Sequence, residues 1–223
     1  MKMVVHGAAA LLMMAAVSAA QASLIDVYQS GSKLGTIDSY SGTLSAVDNY
    51  GYVSPKNNLH NGPTLSDSSG HIFFYEGSDG LSFNTIFGSS GDATRASVHW
   101  DITITGSTTD PSVLIADDGH ELSEVGTSNV FDANWVYVNN LGDGGSIGAL
   151  SGDNWQIEID PSLYDGVILG LTAYGATAGA LALDINTIDN IIFKAAASVP
   201  VPGTLALLML GLAGLSLRKK VTA

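Results

Sequence analysis

The chain contains no cysteine and very few basic residues among its 223 positions. The absence of cysteine rules out disulfide bonds, so the stability of the fold must come from its core or from bound ions. Eight lysine and arginine residues oppose 21 aspartate and glutamate residues, which gives a formal net charge of −13. A nucleic-acid partner is excluded on this balance, because a phosphate backbone requires a cationic surface.

The apolar and the charged residues occupy different parts of the chain. The longest apolar runs lie near the two ends, at residues 8–16 and 205–217. All 21 carboxylates lie between these runs, with only four cations, so this middle region has a formal charge of −17. The six Phe, three Trp and eight Tyr residues are confined to it as well. The composition therefore predicts an acidic domain between two apolar terminal segments.

Residues 1–22 have the three parts of a secretory signal peptide. Lys2 supplies the positive start, residues 8–17 form an apolar stretch, and Ala20-Gln21-Ala22 is a small-x-small cleavage pattern. The pattern predicts cleavage after Ala22 and a mature chain that begins at Ser23.

Residues 199–223 predict a membrane-spanning helix with a basic end. Val199-Pro200-Val201-Pro202-Gly203 precedes an apolar run that reaches Leu217, and Arg218, Lys219 and Lys220 follow it. As a helix, residues 199–217 would be about 28 Å long, which is enough to cross the hydrocarbon core. The terminal cations should remain cytoplasmic, as should Lys2, so residues 23–198 are predicted to form a domain outside the inner membrane.

These C-terminal features resemble the PEP-CTERM sorting domain of exported proteins in Gram-negative bacteria. The resemblance rests on the Pro-x-Pro element, the short apolar run and the basic end, with Val201 at the position where the family has glutamate. It implies that an exosortase in the inner membrane cleaves the chain near the motif. The domain is then expected to be anchored in the membrane transiently and released to the cell surface or the medium.

The middle region has the residue alternation of β-strands. Residues 96, 98, 100, 102 and 104 are apolar and their neighbours are polar, and residues 155–160 repeat this pattern. Further strands are predicted at residues 24–29, 71–76, 81–87, 113–116, 135–139, 167–174, 181–185 and 188–194. No stretch has a sustained helical period. The pattern predicts an all-β fold, an antiparallel sandwich or jelly roll packed around Trp100, Trp135 and Trp155.

Two sequence patterns are typical of hydrolases. Gly144-Gly145-Ser146-Ile147-Gly148 matches a nucleophile elbow, but no histidine follows it, and a glycine-rich hairpin loop is the favoured interpretation. Glu158 and Asp160 should lie on one strand face about 6.6 Å apart. They resemble the start of the Glu-x-Asp-x-x-Glu strand of laminarinase-type glycoside hydrolases, although Leu163 replaces the third acid and Pro161 should interrupt the strand. A solvated polar face is favoured there.

The densest acidic segment is a candidate calcium site. Asp117-Asp118-Gly119-His120-Glu121 and Glu124 offer several oxygen ligands, although their spacing matches neither an EF-hand nor a nonapeptide calcium repeat. His60, His71, His99 and His120 form no pair at metal-ligand spacing, so no zinc site and no resident cofactor are assigned.

These observations favour a non-enzymatic, exported protein of the cell surface or the exopolysaccharide matrix of a biofilm. Its expected partners are an exosortase and the inner membrane during sorting, and exopolysaccharide afterwards. The first alternative is a carbohydrate-binding module of jelly-roll type, in which Tyr50, Tyr52 and Tyr137 would stack on sugars. The second is a glycoside hydrolase that uses Glu158 and Asp160.

Overall fold

The computed structural model describes residues 22–53, 56–57, 59–66, 68–88, 95–126, 129–138, 143–166, 168–185 and 189–197. Ala20, the sorting motif Val199–Gly203 and the basic end Arg218–Lys220 lie outside these residues, as does nearly all of the predicted signal peptide. No helix within the described ranges has the length and apolar character needed to cross a membrane.

The described chain is almost entirely β-structure, which confirms the all-β prediction. Sixteen strands and one short helix, α1 (Ala46–Tyr50), are present in these residues. The strands are β1 (Leu24–Gln29), β2 (Ser32–Asp38), β3 (Tyr40–Ser41), β4 (Tyr52–Val53), β5 (Lys56–Asn57), β6 (Ser69–Gly77), β7 (Gly80–Phe87), β8 (Arg95–Thr105), β9 (Ser112–Ala116), β10 (Leu122–Glu124), β11 (Val130–Val138), β12 (Asp143–Leu150), β13 (Gln156–Gly166), β14 (Gly170–Tyr174), β15 (Ala180–Leu183) and β16 (Ile191–Ala195).

The strands form two large sheets that pack as a sandwich. Sheet A has the order β10-β11-β8-β13-β16-β1-β2, and sheet B has the order β15-β14-β6-β7-β12-β9. A separate two-stranded pair joins β4 to β5. In sheet A, β8 lies between β11 and β13, where Trp100 is opposite Ala133 on one side and Pro161 on the other.

Sheet B is mixed, which corrects the prediction of a wholly antiparallel fold. β14 pairs parallel to β6 from Gly170 opposite Ser69, and β3 pairs parallel to the end of β6 at Tyr40 and Tyr75. Parallel neighbours require a long crossover connection, and other strands lie between β6 and β14 along the chain. Alternation within a strand reports burial and carries no information about the direction of its neighbour.

Aromatic side chains from both sheets meet in the core. Phe87 of sheet B lies 5.3 Å from the ring centroids of both Trp100 and Trp135 in sheet A, and these two indoles are 4.9 Å apart. Phe74 of sheet B lies 5.5 Å from Phe193 of sheet A. The three tryptophans are buried, as the alternating pattern predicts.

Part of the outer face of sheet B is covered by α1, which the sequence pattern did not predict. Tyr50 of α1 packs in a second apolar cluster with Phe73, Tyr75 and Ile86. Ser45 caps the helix by accepting a hydrogen bond from Asp48 N at 3.1 Å, and Asp79 in the β6–β7 turn accepts one from Ala46 N at 2.9 Å. A helix of five residues is too short to produce a recognisable apolar period.

Pro161 does not interrupt β13, contrary to the prediction. The strand continues from Gln156 to Gly166, and a β-bulge between Pro161 and Leu163 absorbs the irregularity. Pro161 lies opposite Trp100 on β8. A bulge leaves one residue outside the regular ladder, and this residue is Ser162.

Asp38 shows how the fold accommodates one buried carboxylate. It is 5% exposed, and it accepts hydrogen bonds from Thr177 N at 2.9 Å, Thr177 Oγ1 at 2.6 Å and Ala178 N at 2.8 Å. Burial acts to raise the pKa of Asp38, but these hydrogen bonds outweigh it and hold the pKa below its usual value. The carboxylate thus attaches the loop after β14 to the end of β2.

We expect Asp38→Asn to destabilise the protein by about 1–3 kcal/mol at neutral pH, since it removes charge-assisted hydrogen bonds. Because the folded pKa lies below the unfolded value of about 3.9, the ionised form stabilises the fold above that pH, and this contribution disappears as pH falls through the folded pKa. The difference in the free energy of unfolding between the wild type and the variant, measured in urea, should therefore become smaller below about pH 4. The exposed Asp110→Asn is the control, and a gap that stays constant in acid would contradict the assignment.

Candidate functional site

Four carboxylates form a cluster where the edges of the two sheets meet. This loop carboxylate cluster consists of Asp117, Asp118, Glu121 and Asp143. Asp117 directly follows β9, and Asp143 begins β12. β9 and β12 pair antiparallel, with Ala116 opposite Gly145, and Asp117 N donates to the Gly144 carbonyl at 3.2 Å. Strand pairing therefore brings Asp143 to Asp117 although the two are far apart in the sequence.

The loop after β9 is folded back so that Glu121 joins the cluster. Asp118 N donates to Glu121 Oε2 at 2.8 Å, and Glu121 N donates to the Asp118 carbonyl at 3.3 Å. The intervening His120 has a positive φ of 81°. Asn134 N on β11 donates to the Glu121 carbonyl at 2.7 Å, which attaches this loop to sheet A.

Two members of the loop carboxylate cluster are buried. Asp117 is 9% exposed and Asp143 is 5% exposed. Asp143 Oδ2 accepts a hydrogen bond from Val136 N at 2.6 Å and so connects β12 to β11 across the sandwich. Both carboxylate oxygens of Asp117 are buried without a hydrogen-bond partner among the residues described. Two ion pairs are present among the described residues, Lys33 with Asp26 and His99 with Asp132. Neither involves the loop carboxylate cluster.

The electrostatics of the cluster disfavour the ionised acids. Burial, followed by the charges of Glu121 and Asp118, raises the pKa of Asp117 to about 8. Burial, followed by a hydrogen bond with Glu121, raises the pKa of Asp143 to about 9.

The calcium site suggested by the sequence stays a prediction. Asp117, Asp118 and Glu121 lie close together in the loop after β9, and Asp143 lies near them on β12. Glu124 is exposed on β10, and His120 is exposed in the loop. Sequence spacing could not indicate Asp143, because only the β9–β12 register places it there.

A second polar group lies on the outer face of sheet A. One ligand atom each from His99, Asp101 and Asp132 can be chosen so that all three lie within 4.8 Å of one another, a group able to hold a metal ion. The β8–β11 register sets Asp101 opposite Asp132, and His99 Nε2 contacts Asp132 Oδ1 at 2.7 Å. Histidine spacing along the chain did not predict this group, because its partners come from a neighbouring strand.

The bulge residue Ser162 extends this group into a Ser-His-Asp chain. Ser162 Oγ lies 2.9 Å from His99 Nδ1 and also donates to the His99 carbonyl at 3.3 Å. Serine therefore contacts Nδ1 and aspartate contacts Nε2, the reverse of the arrangement in serine proteases. The side chains of His99 and Asp132 are 37% and 44% exposed, so the chain lies on an open sheet face.

Ser146 is not in a hairpin loop, contrary to the prediction. It is fully buried within β12, which pairs with β7 on one side and β9 on the other. A Cβ at Gly144 would press on the Thr85 carbonyl oxygen and lie 2.7 Å from Tyr50 Oη. These glycines permit close packing between strands, so the sequence pattern is not a nucleophile elbow.

Glu158 and Tyr50, which the sequence suggested for sugar hydrolysis and sugar binding, make hydrogen bonds within the fold. Glu158 and Asp160 are on the outer face of sheet A, where Glu158 Oε1 accepts a hydrogen bond from Asn190 Nδ2 at 2.6 Å. Tyr50 is fully buried and donates to the Thr85 carbonyl at 3.1 Å, so its ring is not available to a sugar. The side chains of Tyr52 and Tyr137 lie outside the described residues.

The predicted mature N-terminus is attached to the domain. Ser23 N donates to Ser39 Oγ at 2.9 Å, and Ser23 Oγ donates to Glu76 Oε2 at 3.0 Å. β1 begins at the next residue, and the last described strand ends at Ala195. The sandwich thus occupies the region between the two predicted terminal segments.

Comparison with known families assigns the C-terminal segment. The family model of the PEP-CTERM protein-sorting motif matches residues 198–220. The chain therefore carries this motif despite Val201, and the motif indicates an exported protein that an exosortase sorts at the membrane. No curated protein and no solved structure matches the chain.

We expect Gly144→Ala to destabilise the fold by about 1–3 kcal/mol, because an added Cβ must displace backbone or the Tyr50 hydroxyl. The matched control is Gly170→Ala, also within a strand of sheet B, where an added Cβ meets nothing within 4 Å. Urea unfolding of both variants tests the difference. Equal stability of the two would show that β12 is not tightly packed at this position.

Proposed function

We propose that the β-sandwich is the cargo of exosortase sorting and acts, without enzymatic activity, as a structural protein of the cell surface or exopolysaccharide matrix. The observation that carries the proposal is the sorting motif at residues 198–220, directly after the described domain. The domain has its own two-layer core, so it can remain folded once its terminal segments are removed.

The surface chemistry supports a location among other extracellular polymers. Four cations against 21 carboxylates give residues 23–198 a strong negative charge, which favours solubility and attracts divalent ions. The outer face of sheet A carries polar and acidic residues. On β8, for example, the exposed positions include Asp101, Thr103 and Thr105. Such a face suits hydrated contacts with polysaccharide or ions in a matrix.

The positions of the candidate nucleophile and acids support a non-enzymatic role. Ser146 is fully buried, and Glu158 Oε1 accepts a hydrogen bond from Asn190 Nδ2. Ser162 contacts His99 on an open sheet face, whereas acyl transfer also needs N–H donors aimed at the developing oxyanion. A structural role for these residues does not require such N–H donors.

One of the three tyrosines that suggested a carbohydrate-binding module is not accessible to a sugar. Tyr50 is in the core, and the exposed large hydrophobic residues within the described ranges are aliphatic. They are Leu24, Leu34, Leu44, Val47, Val125, Val136, Leu163 and Leu169. Sugar-stacking platforms are usually aromatic, so a structural matrix role is favoured over this alternative.

Export should depend on the two prolines of the sorting motif. In a Gram-negative host with an exosortase, the wild-type chain should reach the surface or the medium, and mass spectrometry should place its new C-terminus near residues 200–203. A Pro200→Ala/Pro202→Ala variant should accumulate uncleaved in the inner-membrane fraction, as should the wild type in an exosortase-deficient host. Thr204→Ala is the matched control. Uncleaved wild-type protein in the cytosol would overturn the proposal.

The Ser162-His99-Asp132 chain should be inert toward a fluorophosphonate probe, which labels activated serine hydroxyls. We expect no more labelling of the purified protein than of Ser162→Ala or His99→Ala. A known serine hydrolase labelled in parallel confirms that the probe is active. Labelling of the wild type that both substitutions abolish would identify Ser162 as a nucleophile and contradict the non-enzymatic role.

A further inference from the structure

We propose that His99, Asp101 and Asp132 bind one divalent transition-metal ion, such as zinc, on the outer face of sheet A. The site goes beyond the structural role proposed above, and neither the sorting motif nor any comparison assigns it. It rests on three observations about the described residues: ligand atoms that converge, a histidine ring whose orientation is fixed from its other side, and a row of carboxylates without a basic side chain opposite it.

The first observation is that the three side chains converge although they come from two strands. His99 and Asp101 alternate with buried residues of β8 and so share its outer face, and the register places Asp132 of β11 directly opposite Asp101. One ligand atom from each residue lies within 4.8 Å of the other two. Ligands of a tetrahedral zinc ion lie about 3.4 Å apart, a spacing that these partly exposed side chains can reach by rotation. Paired strands position such side chains more precisely than a loop does.

The second observation is the hydrogen bonding of the His99 ring. Ser162 Oγ donates its single proton to the His99 carbonyl at 3.3 Å, and the same oxygen lies 2.9 Å from His99 Nδ1. The oxygen then accepts a hydrogen bond from Nδ1, which places the proton of a neutral ring there and leaves a lone pair on Nε2. Histidines that bind metals almost always have such a partner on their second nitrogen, since it fixes the tautomer and the orientation of the ring.

The β-bulge of β13 supplies this partner. Pro161 is buried opposite Trp100, whereas Ser162, the next residue, is exposed on the side of His99. Bulges are common beside functional sites, where they change the direction of a side chain. The bulge thus has a local consequence, which is the contact of Ser162 with the ring.

His99 Nε2 faces a carboxylate oxygen, because Asp132 Oδ1 lies 2.7 Å from it. A nitrogen lone pair and a carboxylate oxygen repel each other at this distance unless a positive charge lies between them. A second ring proton supplies that charge in the ion pair of His99 with Asp132. A metal ion would take the place of this proton, which would leave to solvent, and both groups would become its ligands.

The third observation is a row of carboxylates across three strands. Asp132, Asp101 and Asp160 lie directly opposite one another on β11, β8 and β13. Like charges in opposite positions on neighbouring strands are destabilising. A bound cation at the His99 end of this row would reduce the repulsion.

The basic side chains that the structure describes lie elsewhere. Lys33 pairs with Asp26 at 2.7 Å, and the Lys194 ammonium lies 4.1 Å above the ring of Tyr28. Arg95 begins β8, about 20 Å from Asp101 along an extended strand. Within the described ranges, the row of carboxylates therefore has no lysine or arginine opposite it.

The kinds of ligand favour a transition metal over calcium or magnesium. Imidazole nitrogen suits zinc, copper, nickel and iron, whereas sets of oxygen ligands suit magnesium and calcium. One nitrogen and two carboxylate ligands leave a fourth position of a tetrahedral zinc ion for water. The side chains of His99 and Asp132 are 37% and 44% exposed, so this position would face solvent on the open sheet. Zinc is the suitable probe because it has no redox chemistry.

The test is calorimetric titration of the purified full-length chain with ZnCl₂ near neutral pH, in detergent, without a histidine tag and freed of metal with EDTA. NaCl and an excess of MgCl₂ suppress diffuse binding of ions to the acidic surface. We expect saturable binding of one zinc ion per chain. Nitrogen-15 NMR of histidine-labelled protein should show that zinc shifts His99 Nε2 while Nδ1 stays protonated. Absence of saturable binding would leave only the ion pair of His99 with Asp132 and would overturn the proposal.

Substitutions distinguish this site from other zinc binding. His99→Ala and Asp132→Asn should each weaken zinc binding by at least about 100-fold, because each removes a ligand. Asp132→Asn is nearly isosteric, so it remains informative if His99→Ala perturbs β8, and circular dichroism checks the fold of both. The matched control is His120→Ala, which removes an exposed histidine beside acidic residues and should bind zinc as the wild type does. Unchanged binding in both site variants, or an equal loss in His120→Ala, would contradict the assignment.

Ser162→Ala tests the contact that orients the ring. We expect zinc binding to become about 10-fold weaker with one ion still bound per chain, because Nδ1 loses its partner while all three ligands remain. Ser112→Ala, at an exposed strand position of sheet B, is the control and should keep the wild-type affinity. Wild-type affinity in Ser162→Ala would overturn the role assigned to Ser162.

Discussion

The fold depends on the apolar contact between its two sheets, since no disulfide can stabilise it. Phe87 packs against Trp100 and Trp135, and Phe74 packs against Phe193. A fully buried side chain of this size contributes about 1.5–3 kcal/mol, so such contacts dominate the favourable free energy. Part of the outer face of sheet B is covered by α1, and β6 and β7 are buried on both sides. The exposed positions of β8 on the outer face of sheet A are polar, as at Asp101 and Thr103.

The second constraint is electrostatic, because an acidic chain must place some carboxylates at the margins of its core. Asp38 is satisfied by donors from the loop after β14 and keeps its charge. Asp117 and Asp143 lie at the opposite extreme, buried beside other acids, with their pKa values raised. The same fold thus supplies hydrogen-bond donors to the Asp38 carboxylate and none to that of Asp117 among the described residues.

Export and architecture are consistent with each other. The sorting motif indicates passage through the membrane to an exosortase, and the described domain is joined to it by a chain that leaves the sandwich after β16. Ser23 is held by Ser39 and Glu76, so the opposite end of the domain is also attached where the predicted signal peptide would be removed. Ala196 N donates to the Leu24 carbonyl at 2.9 Å, so the two ends of the described domain lie next to each other on sheet A.

The sequence by itself determined the sorting motif, the all-β class and the burial of the tryptophans, because targeting signals and strand alternation are local patterns. Tertiary structure decided the parallel neighbours of β6, the interior position of Ser146, and the continuation of β13 through Pro161. It also decided the membership of both polar groups. Asp143 reaches Asp117, and Asp132 reaches His99, only through strand register. Pairing between distant strands is set by how whole sheets pack, and that information is not contained in any short segment of the chain.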